Sequence, residues 1–148
     1  MSKEKPDHHD AELVLKLYDL RRETVMRQSR NAIGGWYPRN WDDFIAITQP
    51  THPFNAAWRQ TSSYWEMTYS MARHGIVNAD YLIENNGEGL FLFAKVAPYL
   101  ERFRKEVAPT AFTNAEWITK ESAVGKQRFE QIKKRVAQMM EAQAQTTR

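Results

Sequence analysis

FNAAWRQTSSYWEMTYSMAR, residues 54–73, decides the fold. Wound as a helix at about 100° per residue, it places Arg59, Ser63, Glu66, Ser70 and Arg73 inside an arc of roughly 80°. Trp58, Tyr64, Trp65, Met67, Tyr69, Met71 and Ala72 fill the rest of the circumference. A helix apolar over so much of its surface is stable only when other helices cover it on several sides. The segment is therefore expected to be the central element of an all-α bundle, with Trp58 and Trp65 in the core opposite the polar stripe.

Working outward, Asn55 is expected to cap this helix and Gly75 to stop it as a left-handed residue, with Ile76 making the accompanying apolar contact. Upstream, Leu13, Val14, Leu17, Tyr18, Leu20 and Val25 recur at helical spacing, which predicts one helix from an Asp10 cap to about Ile33, ended by Gly34-Gly35. Residues 34–53 are irregular and rich in Gly, Pro and aromatics, interrupted by a short helix that Asn40 caps and that buries Phe44, Ile45 and Ile47. Downstream, Asn78 caps a short helix to about Glu84, with Val77 stapled onto Leu82. The run Gly87 to Phe93 has no period and is compatible with a strand. Helix is preferred because Leu92, Val96, Leu100, Phe103 and Val107 recur at helical spacing, with Pro98 at a kink or a new first turn. The last helix starts at a capping box of Thr113 and Glu116, with Phe112 and Trp117 at the staple positions. Its apolar stripe is Phe129, Ile132, Val136 and Met139 or Met140. The expectation is a single domain over 1–148, with 1–9 and 142–148 as flexible tails.

The chain of 148 residues is long enough for a core without staples. It has no cysteine, which removes disulfides and thiolate chemistry and suits a reducing compartment. The start, MSKEKPDHHD, is charged, and no stretch approaches the ~18 apolar residues of a membrane span. A cytoplasmic location is expected. The pI near 9.2 reflects a net charge of only +3. The stretch from Lys120 to Arg135, with six basic residues against two acidic ones, carries that excess by itself, and the rest of the chain is close to neutral.

Catalytic patterns are missing. Glu12, Glu66, Glu84 and Glu88 are followed three residues later by Leu15, Tyr69, Gly87 and Phe91, so no Glu-x-x-His pair exists for a di-iron site. The zincin pattern, the P-loop and the Gly-x-Ser-x-Gly elbow are also missing. His8 and His9 beside Asp10 read as part of the tail rather than as a metal site, His74 reads as a helix C-terminal cation, and no metal or cofactor is expected. Glu66, between Trp65 and Tyr69, is a candidate buried acid, but its place on the polar stripe favours a surface or groove-edge charge.

Trp36-Tyr-Pro-Arg-Asn-Trp41 interleaves aromatics with Arg39, a mixture that either lids a core or binds a ligand. With His52 beside it, the candidate ligand-binding set is Trp36, Tyr37, Arg39, Trp41 and His52. The Lys126 to Arg135 face could meet phosphates, but Glu130 placed four before Lys134 fits an ordinary salt-bridged surface, and no specific nucleic-acid partner is expected.

The motifs Tyr64-Trp-Glu-Met, Gly75-Ile-Val-Asn, Tyr81-Leu-Ile-Glu and Pro98-Tyr-Leu-Glu-Arg-Phe-Arg resemble an uncharacterised bacterial family of small helical domains, over about a third of the chain. The resemblance implies a helical fold and a bacterial context and carries over no catalytic residue. Three functions remain open. The first is a non-catalytic protein that binds a protein partner or small ligand through the Trp36–Trp41 loop. The second is a weak polyanion or nucleic-acid binder using the basic helix. The third is an enzyme using Glu66 and a histidine. A twofold dimer through Phe129, Ile132, Val136 and Met140 is also expected.

Overall fold

The computed structural model describes residues 3–146 and is all-α, with nine α-helices and no strand among those residues. They are α1 His8–Arg21, α2 Thr24–Gly34, α3 Trp41–Ile47, α4 Asn55–Arg73, α5 Ala79–Asn85, α6 Gly89–Val96, α7 Leu100–Glu106, α8 Thr113–Glu121 and α9 Ala123–Thr146. A 3₁₀ turn, Ala97–Tyr99, carries Pro98 between α6 and α7, the second of the two alternatives expected for it, a kink or a new first turn. No helix among the described residues is long and apolar enough to cross a membrane.

The 19-residue α4 is the central element, packed against α2, α8, α5 and α6. Trp58, Trp65, Tyr64, Tyr69 and Ala72 are buried. Its wet face differs from the expected stripe: Arg59, Ser63 and Arg73 are exposed together with Met67, while Glu66 is half-buried. Around Phe44, the rings of Trp36, Trp58, Tyr99 and Phe103 lie 5.0–6.4 Å away and close one end of the core.

Several helix ends are set by groups far away in the sequence. The expected first helix is two, because Glu23 accepts from the N–H groups of Val25 and Met26 and so starts α2 afresh. Asp7, rather than Asp10, caps α1. Asp10 is buried, where it accepts from the Lys3 ammonium at 2.7 Å and the Asn78 N–H at 3.1 Å and ties α1 to the start of α5. Tyr18, Leu20 and Val25 are exposed, so the inward stripe of this hairpin is Val14, Leu17, Met26 and Ile33. Asn55 does not cap α4: Phe54 stands at the cap, and Asn55 is buried, donating to the Ile47 carbonyl. Gly75 does stop α4 at φ 73°, but Ile76 is exposed and Val77 is the residue that packs inward. Asn40 and Asn78 cap α3 and α5 as expected.

The expected capping box of α8 does not form. Glu66 reaches across from α4 and accepts the N–H groups of Asn114 at 3.0 Å and Ala115 at 2.8 Å, leaving Glu116 to pair with Arg104. The cap position is Phe112, at φ 56°. A phenylalanine is strained in that region; packing of its ring 5.7 Å from Trp58 and 6.1 Å from Phe93 holds it there. The last helix also divides. Ser122 is extended, donates to Asp80 and accepts the Gly125 N–H, so it ends α8 and begins α9. The first helix begins at His8 and the last ends at Thr146, inside the stretches expected as tails; residues 1–2 and 147–148 lie outside the described residues.

The expected dimer stripe is spent within the chain. Phe129, Ile132 and Val136 are buried and Met140 packs on the core, with Phe129 lying 5.3 Å from Phe93 of α6. Val107 is exposed and drops out of the α7 stripe.

Candidate functional site

The α2–α4–α6 junction forms a half-open cavity of about 180 Å³, lined among others by Tyr37, Trp65, Phe91, Leu92, Arg30, Glu88 and Lys95. Its construction begins with Gly34-Gly35, which end α2 so that the Ile33 carbonyl accepts the Trp36 N–H at 3.1 Å and, with the Gly34 carbonyl, faces the next element. On the opposite side, α6 must approach α4 closely. A Cβ at Gly89 would stand 2.5 Å from the Tyr69 hydroxyl and 2.7 Å from the Trp65 ring, so glycine is required there. This contact sets α6 so that Lys95, in its last turn, meets the end of α2.

Lys95 is only 4 % exposed, and its Nζ donates to the carbonyls of Ile33 at 2.9 Å and Gly34 at 3.3 Å. The Tyr37 ring centroid is 4.1 Å from Nζ. These are favourable partners for a cation: the negative end of a helix and the face of a ring. No carboxylate pairs with the ammonium among the described residues. Burial lowers its pKa to about 8, with the Glu88 charge acting weakly in the opposite direction. Glu88 is committed elsewhere. It takes both Nε of Arg30 at 2.6 Å and a second guanidinium nitrogen at 2.9 Å, a two-pronged bridge that joins α2 to the start of α6. Arg30 also donates to the Arg21 carbonyl at 3.2 Å, which fixes the fork.

Of the five residues expected to bind a ligand, only Tyr37 lines this cavity. Trp36 is buried against Trp58 and Phe44 and serves the core. Trp36, Tyr37, Arg39 and His52 do share a second, more open groove of about 440 Å³, which Phe54 and the end of α9 complete. Arg39 is exposed there and pairs loosely with Asp43 at 3.8 Å; His52 Nδ1 accepts the Phe54 N–H at 2.9 Å. Trp41 lies apart, packed on Phe44 with the Arg102 guanidinium 4.1 Å over its ring.

Glu66 joins neither space. It borders a shallow hollow with Trp58, Arg59 and Phe112, its oxygens occupied by the start of α8. Burial pushes its carboxyl above the ordinary range, opposed by the two N–H groups and by Arg104 and Arg73. His74 stands at the C-terminal cap of α4. His8 and His9 open α1, and no cluster of three or more metal-ligating side chains occurs among the described residues. On the basic helix Glu130 pairs with Lys133 at 2.8 Å rather than with Lys134.

Lys95, Arg30 and Glu88 were missed from sequence. One signal was present: Lys95 is the one charged residue in the apolar run Gly89–Val96. The Arg30–Glu88 bridge spans 58 residues and has no local signature.

Comparison with curated proteins and with solved structures yields no match. A family model described as a domain of unknown function, DUF4760, matches residues 6–122. That span holds the whole cavity lining and reaches beyond the motifs between Tyr64 and Arg104 to the first two helices and the aromatic loop. The chain belongs to the DUF4760 family.

Proposed function

We propose that this protein binds a small ligand non-catalytically, in the cavity between α2, α4 and α6, with Tyr37 as the contribution of the Trp36–Trp41 loop. The ligand has an apolar body about the size of one aromatic ring and a single anionic oxygen head. The observation that carries this reading is Lys95, a buried cation in an aromatic-walled cavity with no carboxylate partner among the described residues. Size supports it, since an apolar cavity of about 150 Å³ accepts benzene and this one measures about 180 Å³. Charge supports it too: Arg30 and Glu88 neutralise each other, so Lys95 leaves a lining suited to a monoanion. The cysteine-free composition and the family resemblance favour a bacterial cytoplasmic setting.

Isothermal titration with benzoate and benzylamine tests the reading. Benzoate is expected to bind, benzylamine to bind at least about tenfold more weakly, and Lys95→Met to remove the difference. Each tenfold step corresponds to about 1.4 kcal/mol, within the range of one charge-assisted hydrogen bond. Equal binding of both probes, or benzoate binding unchanged in Lys95→Met, contradicts it.

A further inference from the structure

Lys95 differs from every other lysine in the chain. Of the nine, it alone is buried, and it alone lines a cavity walled by Trp65, Tyr37 and Phe91. Its Nζ has two carbonyl acceptors, Ile33 and Gly34. A neutral amine has two N–H donors, so it can satisfy both carbonyls and still keep its lone pair, whereas an ammonium in the same place leaves a third N–H to be solvated. The site therefore accepts the deprotonated amine without losing a protein hydrogen bond.

We propose that the Lys95 ε-amine forms a reversible imine with a small apolar aldehyde admitted to the cavity. This rests on the reading that the cavity takes a one-ring apolar body, and adds a second ligand class, a neutral aldehyde that reacts with the free amine where the anion pairs with the ammonium. In the step, the nitrogen lone pair attacks the carbonyl carbon and the C=O π pair moves to oxygen, which takes the proton that the nitrogen gives up; one further proton from solvent then goes to the same oxygen. The carbinolamine then loses that oxygen as water while the nitrogen pair forms C=N. Amine, aldehyde and one proton give a protonated imine and water, and hydrolysis reverses the reaction with no redox partner. The remaining N–H of the imine can still donate to either carbonyl at the end of α2.

The lowered pKa of about 8 makes the step effective near neutrality. At pH 7.5 about a quarter of such amines are neutral, against about one in a thousand for an ordinary lysine. The groups facing this nitrogen are the two α2 carbonyls, the Tyr37 ring, and the Arg30–Glu88 bridge at the cavity wall.

The test is reductive trapping. The intact protein is incubated with benzaldehyde and cyanoborohydride at pH 7.5, and the benzylated lysines are mapped by peptide mass spectrometry; benzoate binding is measured in parallel. Lys95 is expected to carry at least about tenfold more label than any other lysine, with excess benzoate suppressing that label alone. Lys95→Arg, which keeps the cation, is expected to leave only the weak surface labelling. Label spread evenly over the surface lysines with none enriched at Lys95 overturns the proposal, and mapping of the unmutated protein decides this even if the variant fails to fold. If benzoate binds while Lys95 stays unlabelled, the imine falls and the binding reading stands. If Lys95 is labelled while benzoate does not bind, the imine stands and the anion reading falls. If neither occurs, both fall.

Discussion

Lys95→Met removes a buried charge whose cost can be followed by pH. In the folded chain burial holds this lysine near pH 8, whereas unfolded it titrates near 10.4. Between those values the unfolded chain carries the proton and the folded chain does not, so folding becomes more favourable as pH rises. At about 1.4 kcal/mol per pKa unit, the gain across that window is at most about 3 kcal/mol. Below pH 8 both states are protonated and the penalty is constant. The methionine fills similar space and lacks the charge, but it takes the Lys95 donor from the Gly34 carbonyl and from the Ile33 carbonyl, which keeps the Trp36 N–H, a loss of about 1 to 3 kcal/mol. The two effects offset near neutrality. Urea melts followed by circular dichroism at pH 7, 8, 9 and 10 are expected to show the variant close to the parent at pH 7, then less stable by a margin widening to about 2 to 3 kcal/mol by pH 10. The tyrosines buried in α4 are common to both proteins and cancel in the difference. A difference that stays flat from pH 7 to 10 would refute the claim that the fold depresses this lysine.

Trp65→Ala removes a fully packed ring of the central helix and should cost about 3 to 5 kcal/mol in denaturant melts; a near-neutral result would sink the placement of α4. Gly89→Ala should cost at least about 1 to 3 kcal/mol by overpacking against Trp65 and Tyr69, and should weaken benzoate binding because it pushes α6 away from α2. Glu66→Ala strips the start of α8 of its acceptor and should cost about 1 to 3 kcal/mol, whereas Thr113→Ala, at the expected box, should cost less; the reverse order would restore the local cap. Polyanion binding through Lys126, Lys133, Lys134 and Arg135, measured with random-sequence DNA, should be weak and collapse between about 50 and 200 mM salt; nanomolar binding to one selected sequence would contradict that.

The parts of the fold legible in the sequence are those decided within a few residues. Asn40 and Asn78 cap their helices, and Gly34-Gly35 and Gly75 end theirs, because each acts on its own backbone. Trp58 and Trp65 were legible because helical spacing alone sends them inward. Where a distant group competed, local reading failed: Glu66 displaced the Thr113 box from 48 residues away, and Ser122 divided the last helix with help from Asp80. The stripe offered for a dimer is covered within the chain for the same reason, since α6 supplies the cover that an isolated α9 lacks. The cavity was the least legible part. Its lysine meets α2 across 61 and 62 residues, and only the packing of α6 on α4 at Gly89 brings them together.

The most direct test of the Lys95 cavity is an NMR titration of lysine Cε resonances with and without benzoate. The free protein should show one lysine titrating near pH 8, and benzoate should raise that single value by about one unit or more, because a carboxylate beside the ammonium favours its charged form. All lysines titrating together near 10.4, unmoved by benzoate, would contradict the account.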